Sequence, residues 1–482
     1  MVLFKKVPVL TDIDFKLSNI LNLVITIILI SILVFCFRKK HLRFSDTKCI
    51  ILLTVLFFSF EVLLVFSIPF KTGWDVGVIF DAAYFNVFSK ANIIFGTNKY
   101  YFDIYPNNIF LLLFEMSIAM FTKLLGRGSI TFLILLCLIN CIIYSVVGIL
   151  VFYIQKKINS NSKLALFSWI CYMVLVGTSP WILVPYSDSL GLLFPTLIFS
   201  FYLFLPKNSN WKWFLISIVS FLAYQLKPQL LIIFIAIILI SFLEMFSQKN
   251  FKKMLHYILI VIFAYLIVTV PCSLVVKKMG LDETKKVGIS HFLMMGMNYD
   301  RNGVYSDEDV SFSTSIADPK ERFNKNIEVF MNRVSDYGLA KTCRHFYHKI
   351  LVNFNDGTFF YGREGGFYSI IYSDVYPEKF GKLSWLREFF YYDGKYYFSI
   401  STVRQGFWLF ILMLLGLSIP KKGENKYLLV LKLSLLGLFL FELLFEARSR
   451  YLFTFVPIFV IVALDNFYHL LNKLKVYIRR KS

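Results

Sequence analysis

Long apolar stretches alternate with short basic or polar joints along this chain. Residues 17 to 37, 48 to 68, 129 to 154 and 254 to 271 are apolar runs, uncharged but for Lys48 and Glu61, close to the ~20 residues a helix needs to cross a bilayer. Shorter apolar segments lie near 107 to 125, 164 to 184, 189 to 205, 212 to 226, 229 to 246, 405 to 419, 427 to 444 and 451 to 470. The pattern predicts an all-α polytopic membrane protein with about 10–12 transmembrane helices. One long stretch, 272 to 403, breaks it.

That stretch holds 17 Lys and Arg against 16 Asp and Glu, more than half of the chain's 30 acids. Its balanced, Gly- and Tyr-containing composition predicts a small folded domain of mixed structure on the membrane surface. The chain therefore divides into an N-terminal transmembrane block (1–271), the inserted domain (272–403) and a C-terminal transmembrane block (404–482).

The joints set the topology. Arg38, Lys39, Lys40 and Arg43 follow the first span. Further basic clusters are Lys249, Lys252 and Lys253, then Lys421, Lys422 and Lys426, and last Lys473, Lys475, Arg479, Arg480 and Lys481. The positive-inside rule makes all of these cytoplasmic. Counting back from a cytoplasmic C-terminus puts the insert outside, and counting forward from Arg43 puts residues 70 to 106 outside as well, so the two loops face each other. Seven crossings between them would put the insert inside. One segment is therefore not a full crossing, and the short pieces around Pro180 and Pro228 are the candidates, because proline removes an amide donor that lipid cannot replace.

Composition agrees with this picture. Hydrophobic residues make up 57% of the 482 and aromatic ones 18%, and mean hydropathy is +0.66, above that of a soluble globular chain. The net charge of +21 sits in joints beside apolar spans rather than on one polar face, which argues against nucleic acid as a partner. The seven cysteines lie mostly in or at the ends of apolar helices without CxxC spacing, which speaks against a disulfide framework or a zinc site. The first span ends in Phe-Arg-Lys-Lys without a small-residue cleavage site and reads as a retained helix. No internal repeat is evident.

Ionisable residues at the ends of apolar helices are expensive and so point to function. The first group is Lys71-Thr-Gly-Trp-Asp-Val-Gly-Val-Ile-Phe-Asp81, followed by Tyr100-Tyr-Phe-Asp-Ile-Tyr-Pro-Asn-Asn108 with Asp103 and Tyr105. A carboxylate held at the membrane face suits a general base, while a helix cap or an acidic loop is the plain alternative. The second is Thr178-Ser-Pro-Trp-Ile-Leu-Val-Pro-Tyr-Ser-Asp188, where Asp188 is a cap or a site residue. The third is Gln225-Leu-Lys-Pro-Gln229, where Lys227 either neutralises a phosphate or snorkels to head groups.

The fourth group is Glu446-Ala-Arg-Ser-Arg-Tyr451. In an extended segment Arg448 and Arg450 point to opposite sides, so one of them faces the site, and Glu446 orients an arginine or an acceptor hydroxyl. The fifth lies in the insert: His291-Phe-Leu-Met-Met-Gly-Met-Asn298 and Asn355-Asp-Gly-Thr-Phe-Phe-Tyr-Gly-Arg-Glu-Gly-Gly366. His291 and Arg363 are phosphate or sugar contacts or structural residues. A lone histidine is poor grounds for a metal.

Together WDVGVIFD, YPNN, YSD, LKP and EARSRY resemble the GT-C superfamily of membrane glycosyltransferases, of the protein O-mannosyltransferase and aminoarabinose-transferase kind. HFLMMGMN and NDGTF resemble a cell-envelope branch in low-GC Gram-positive bacteria. The resemblance implies a multi-pass cell-membrane enzyme that takes a sugar from a polyprenyl-phosphate donor to an extracytoplasmic cell-envelope glycan, with inversion. It also implies a first-loop carboxylate as base, Asp75 or Asp81, since Asp75 is followed by Val where relatives often pair two acids. Lys227, Arg448 and Arg450 would hold the phosphate, and Tyr105, Asp188, His291, Arg363, Glu446 and Tyr451 would line the substrate site. Asp75 and Asp81 either share a divalent ion (Mg or Mn) or work without one. No Gly-rich phosphate loop marks a nucleotide-sugar enzyme. A lipid-linked oligosaccharide flippase and a polysaccharide polymerase are the rival readings. A transporter is more often built of repeats with midplane charges.

Overall fold

The computed structural model describes residues 17–39, 46–89, 98–282, 284–364, 366–417 and 423–481. The apolar runs fold as helices, as they must where lipid offers no partner for a backbone amide. In chain order they are α1 (Asn19–Lys39) and α2 (Asp46–Ser67), then β1 (Phe70–Thr72), α3 (Trp74–Phe88), α4 (Lys99–Ile104), α5 (Ile109–Leu124), α6 (Ser129–Asn159) and α7 (Ser162–Tyr172). After them come α8 (Ser187–Gly191), α9 (Leu193–Phe204), α10 (Asn210–Leu226), α11 (Ile232–Ser247) and α12 (Phe251–Lys278). The protein is an all-α polytopic membrane protein. Eight helices among the described residues are long and apolar enough to cross a bilayer.

Helices α13 (Ile289–Gly296), α14 (Asp307–Ser315) and α15 (Pro319–Phe354) follow, then β2 (Tyr368–Ile371) and the short α16 (Tyr372–Val375), α17 (Pro377–Phe380) and α18 (Arg387–Phe390). The chain finishes with α19 (Tyr397–Gly416), α20 (Lys426–Leu444), α21 (Arg450–Phe453) and α22 (Val456–Lys481). Helix α12 continues past Pro271, and α19 begins at Tyr397, so the inserted segment between bundle helices is 279–396. It is mostly helical rather than mixed.

Side-chain bonds fix which helix ends lie together. Asn19 at the start of α1 donates to Asn355 (2.6 Å) and accepts from Gln405 (3.1 Å). At the other end Asn159 closes α6 by donating to Asp465 of α22 (2.7 Å), Lys253 donates to Asn208 (2.6 Å), and Lys426 pairs with Glu244 (2.6 Å). The basic joint at 249–253 and Lys426 thus share this far end. Lys40, Arg43, Lys421 and Lys422 lie outside the described residues.

From these ends, α6, α9, α11, α19 and α22 run from the insert side to the far end, and α7, α10 and α12 run back. Helix α5 does not take part in this alternation. Its start lies beside Tyr101 through Asn108 (2.6 Å), and near its end Lys123 donates to the Val87 carbonyl of α3 (2.5 Å). Phe80 of α3 stacks on Phe132 at the start of α6 (4.7 Å). Helices α3 and α5 therefore both run alongside the first half of α6, away from the far end. The segment that breaks the alternation is 106–125, not the pieces around Pro180 and Pro228. Those are short 3₁₀ turns at helix joints on the insert side, Pro180–Leu183 and Pro228–Leu231.

The two facing loops meet as a sheet. β1 from the first loop pairs antiparallel with β2 from the insert, Phe70 opposite Ile371. The Gly73 amide reaches the Gly366 carbonyl (3.0 Å), and a Cβ at Gly73 would lie 2.3 Å from that oxygen, so the contact requires glycine. Phe359, Tyr361, Phe367 and Tyr391 of the insert belong to the same buried core as Trp181, Trp408 and Phe453. The insert is thus fused to the bundle rather than tethered over it.

Lys349 of α15 locks the other flank. Its ammonium donates to the carbonyls of Gly296 (2.9 Å), Leu443 (2.7 Å) and Phe445 (2.5 Å), satisfying acceptors that α13 and α20 leave open at their C-termini. Gly296 lets the two backbones touch, since a Cβ there would meet the Leu444 carbonyl at 2.3 Å.

Candidate functional site

The first loop places its carboxylate through a strained start to α3. Trp74 takes φ +40°, a left-handed value that costs a bulky residue about 1–3 kcal/mol and persists only where the surroundings impose it. Here β1 and the Gly73–Gly366 contact impose it. The next residue, Asp75, sits in the first turn and accepts a hydrogen bond from the Tyr186 hydroxyl at 3.1 Å. The Tyr101 hydroxyl lies beside the same carboxylate. Burial holds the Asp75 carboxyl above the usual carboxylate range, against the lowering pull of Arg450.

The arginines come from the joint after α20. That helix ends at Leu444, Phe445 is extended, and the chain turns from Arg448, whose carbonyl accepts from the Tyr451 amide (3.0 Å), into α21 at Arg450. Glu446 clamps the turn, accepting from Arg448 Nε (2.9 Å) and the Tyr451 hydroxyl (2.9 Å). Because the segment turns, both arginines reach one side. Arg448 Nη1 lies 2.6 Å from Glu364 Oε2, and Arg450 Nη1 lies 3.2 Å from Glu364 Oε1. Burial alone would raise the Glu364 carboxyl, but the two guanidinium groups pull it below the usual range.

Arg450 is framed by aromatic faces, its guanidinium carbon 4.9 Å from the Trp74 ring, 5.3 Å from Tyr186 and 5.5 Å from Tyr451. Its Nη1 is taken up by the ion pair with Glu364, but among the described residues its Nε and the Trp74 indole nitrogen have no hydrogen-bond partner. Buried donors left open in this way are uncommon in folded chains and suit an anionic ligand.

Asp188 and Lys227 form the floor. They make a buried ion pair, so the acid that Lys227 lacks nearby in sequence comes from 39 residues upstream. The Lys227 ammonium also lies over Tyr451 (4.8 Å) and Tyr186 (5.8 Å). One Asp188 oxygen has no partner among the described residues. Tyr105 stands against Tyr101 (5.4 Å), within electrostatic reach of Asp75 and Glu446. Asp75, Tyr105, Asp188, Lys227, Glu446, Arg448, Arg450 and Tyr451 thus gather at one end of the bundle.

Three expected residues stand apart. Asp81 is ion-paired with Lys71 (2.5 Å) on the partly exposed side of α3. His291 is fully buried among insert helices, its Nδ1 2.7 Å from the Ser313 hydroxyl, which bonds Asn326 (3.0 Å). Burial lowers its pKa to about 4, which keeps it neutral. Arg363 is exposed on the loop that carries Glu364. That loop is built by Asp356, which accepts from the Thr358 and Phe360 amides (2.7 Å each) and from Ser449 (3.1 Å). The NDGTF segment is therefore a bracket that delivers Glu364.

Glu364, Tyr186, Tyr101 and Trp74 are the members that sequence reasoning passed over. Glu364 had a signal, as an acid in a Gly-rich insert loop, but nothing in sequence ties it to arginines 84 and 86 residues away. A divalent ion shared by Asp75 and Asp81 would have to displace Lys71, which holds Asp81 at 2.5 Å. Among the described residues no three His, Cys, Asp or Glu side chains form a metal-binding group.

The chain matches the family of conserved hypothetical integral membrane proteins over residues 11–468 and belongs to it. Neither a curated protein nor a solved structure matches it.

Proposed function

We propose that this integral membrane protein is a glycosyltransferase that moves a sugar from a polyprenyl-phosphate donor to a cell-envelope glycan on the outer face of the cell membrane. The observation that carries the reading is the buried juxtaposition of a carboxylate, Asp75, with two arginines, one of which keeps its Nε open. In the reaction the Asp75 carboxylate takes the proton of an acceptor hydroxyl as that oxygen bonds to the anomeric carbon. The bond from that carbon to the phosphate oxygen breaks on the opposite face, which inverts the configuration. Arg450 and Arg448 stabilise the departing polyprenyl phosphate. Lys227, already paired with Asp188, adds positive potential.

Asp75 is favoured over Asp81 as the base because its oxygens face the arginine cluster, whereas Asp81 is spent on Lys71. Burial raises its basicity, which suits a general base. Mass spectrometry of envelope glycans tests the reading. Cells lacking the protein should lose one sugar substituent, restored by the wild-type gene and not by Asp75→Asn at equal abundance. Restoration by Asp75→Asn would remove the base assignment.

Glu61 and Glu115 favour a second reading, a lipid-linked oligosaccharide transporter. Both are buried in bundle helices, and among the described residues both Glu61 oxygens and one of Glu115 have no partner. In that case the glycan would be lost from the outer face while its lipid-linked precursor accumulated.

A further inference from the structure

The end of the bundle opposite the arginine cluster holds a separate basic cup. A cavity of about 120 Å³ opens where the joints between α9 and α10 and between α11 and α12 meet the start of α20. Four of its lining side chains are lysines, Lys207, Lys212, Lys253 and Lys426, against one acid, Glu244.

Lys212 is 3% exposed, a costly position for an ammonium. Its Nζ donates to the Tyr202 carbonyl (2.7 Å) and, longer, to that of Leu205 (3.4 Å), capping α9. An ammonium has three protons, so one donor is left for the cavity it lines. The single acid is already used, since Glu244 pairs with Lys426. Lys253 holds Asn208 (2.6 Å), and Lys207 is exposed at the rim. Trp213 and Tyr257, ring centroids 4.9 Å apart, form an aromatic wall of the kind that sits at head-group depth.

We propose that this cup binds a phosphate-bearing anion, the head group of an anionic phospholipid in the adjoining leaflet or a free phosphate compound. A cavity of this size holds a phosphate, and the surplus of cations over acids selects negative charge. The aromatic wall and the position at the helix joints match the depth of a lipid head group. The site lies at the opposite end of α9, α10 and α11 from the arginine cluster and does not depend on what that cluster does.

Native mass spectrometry of the detergent-solubilised full chain tests it, with titrations of phosphatidylglycerol, of phosphatidylcholine with the same acyl chains, and of inorganic phosphate. The wild type should bind phosphatidylglycerol over phosphatidylcholine, and the Lys207→Gln/Lys253→Gln double variant should bind it about tenfold more weakly. Lys207 and Lys253 lie towards the surface, so the double variant should keep the wild-type melting temperature. Lys212→Met should lose the bound anion altogether. Displacement of the lipid by inorganic phosphate would place free phosphate compounds among its ligands, and lack of displacement would restrict it to lipid. Equal binding of both lipids by the wild type together with no phosphate adduct, or unchanged binding in the double variant, would overturn the proposal.

Discussion

Glu364 holds the key electrostatic position, because two buried arginines converge on its one carboxylate. Taking away one member of such a group leaves charge buried without compensation, whereas a partly exposed pair is worth little. Glu364→Ala should therefore destabilise the protein by about 3–5 kcal/mol. Asp81→Asn, which breaks the pair with Lys71, should cost no more than about 1 kcal/mol and leave transfer intact. Chemical unfolding of the two variants in one detergent checks the contrast. Asp75, Lys227, Arg448 and Arg450 were legible in sequence because each is an ionisable residue at an apolar helix end. Glu364 was not, since its partners come from a joint far along the chain. His291 shows the converse: it stood out by type, yet it is a buried side chain bonded to Ser313.

At the scale of elements, hydropathy predicted most helices correctly but could not distinguish crossing from lying alongside. With its Pro106–Asn108 turn, helix α5 is long and apolar enough to span, though the least apolar of the eight such helices among the described residues. What removes it from the alternation is tertiary, namely its packing with α3 and the first half of α6. Proline at 180 and 228 pointed to irregular backbone, and irregular backbone is found there, but as turns at helix joints. Cysteine labelling distinguishes the two arrangements. In intact cells, cysteines placed at Arg127, in the turn after α5, and at Leu339, in the insert, should react with an impermeant maleimide. Cysteines at Ser160 and Asn208 should react only after permeabilisation. Labelling of Ser160 in intact cells, with Arg127 reacting only after permeabilisation, would mean that α5 crosses.

At the scale of the whole molecule, the sequence indicated two facing loops, and the structure shows how tightly they join: a β1–β2 pair, a glycine contact and a shared aromatic core. A charge-balanced insert looks separable when only composition is read, since nothing in composition records that Phe359 and Tyr361 pack among bundle tryptophans. This fusion places Glu364 between the arginines and Gly366 against Gly73, so the strained Trp74 turn and the arginine cluster depend on one another. The account stands on Asp75 acting as base beside these arginines. The most direct test is transfer of labelled sugar from a polyprenyl-phosphate donor to an envelope-glycan acceptor by the purified protein in liposomes, followed against pH. The wild type should transfer sugar and lose activity on acidification at a pH above the ordinary aspartate range near ~4, because burial raises the Asp75 pKa and protonation removes the base. Asp75→Asn should be inactive at every pH while melting normally, and full transfer by that variant would contradict the account.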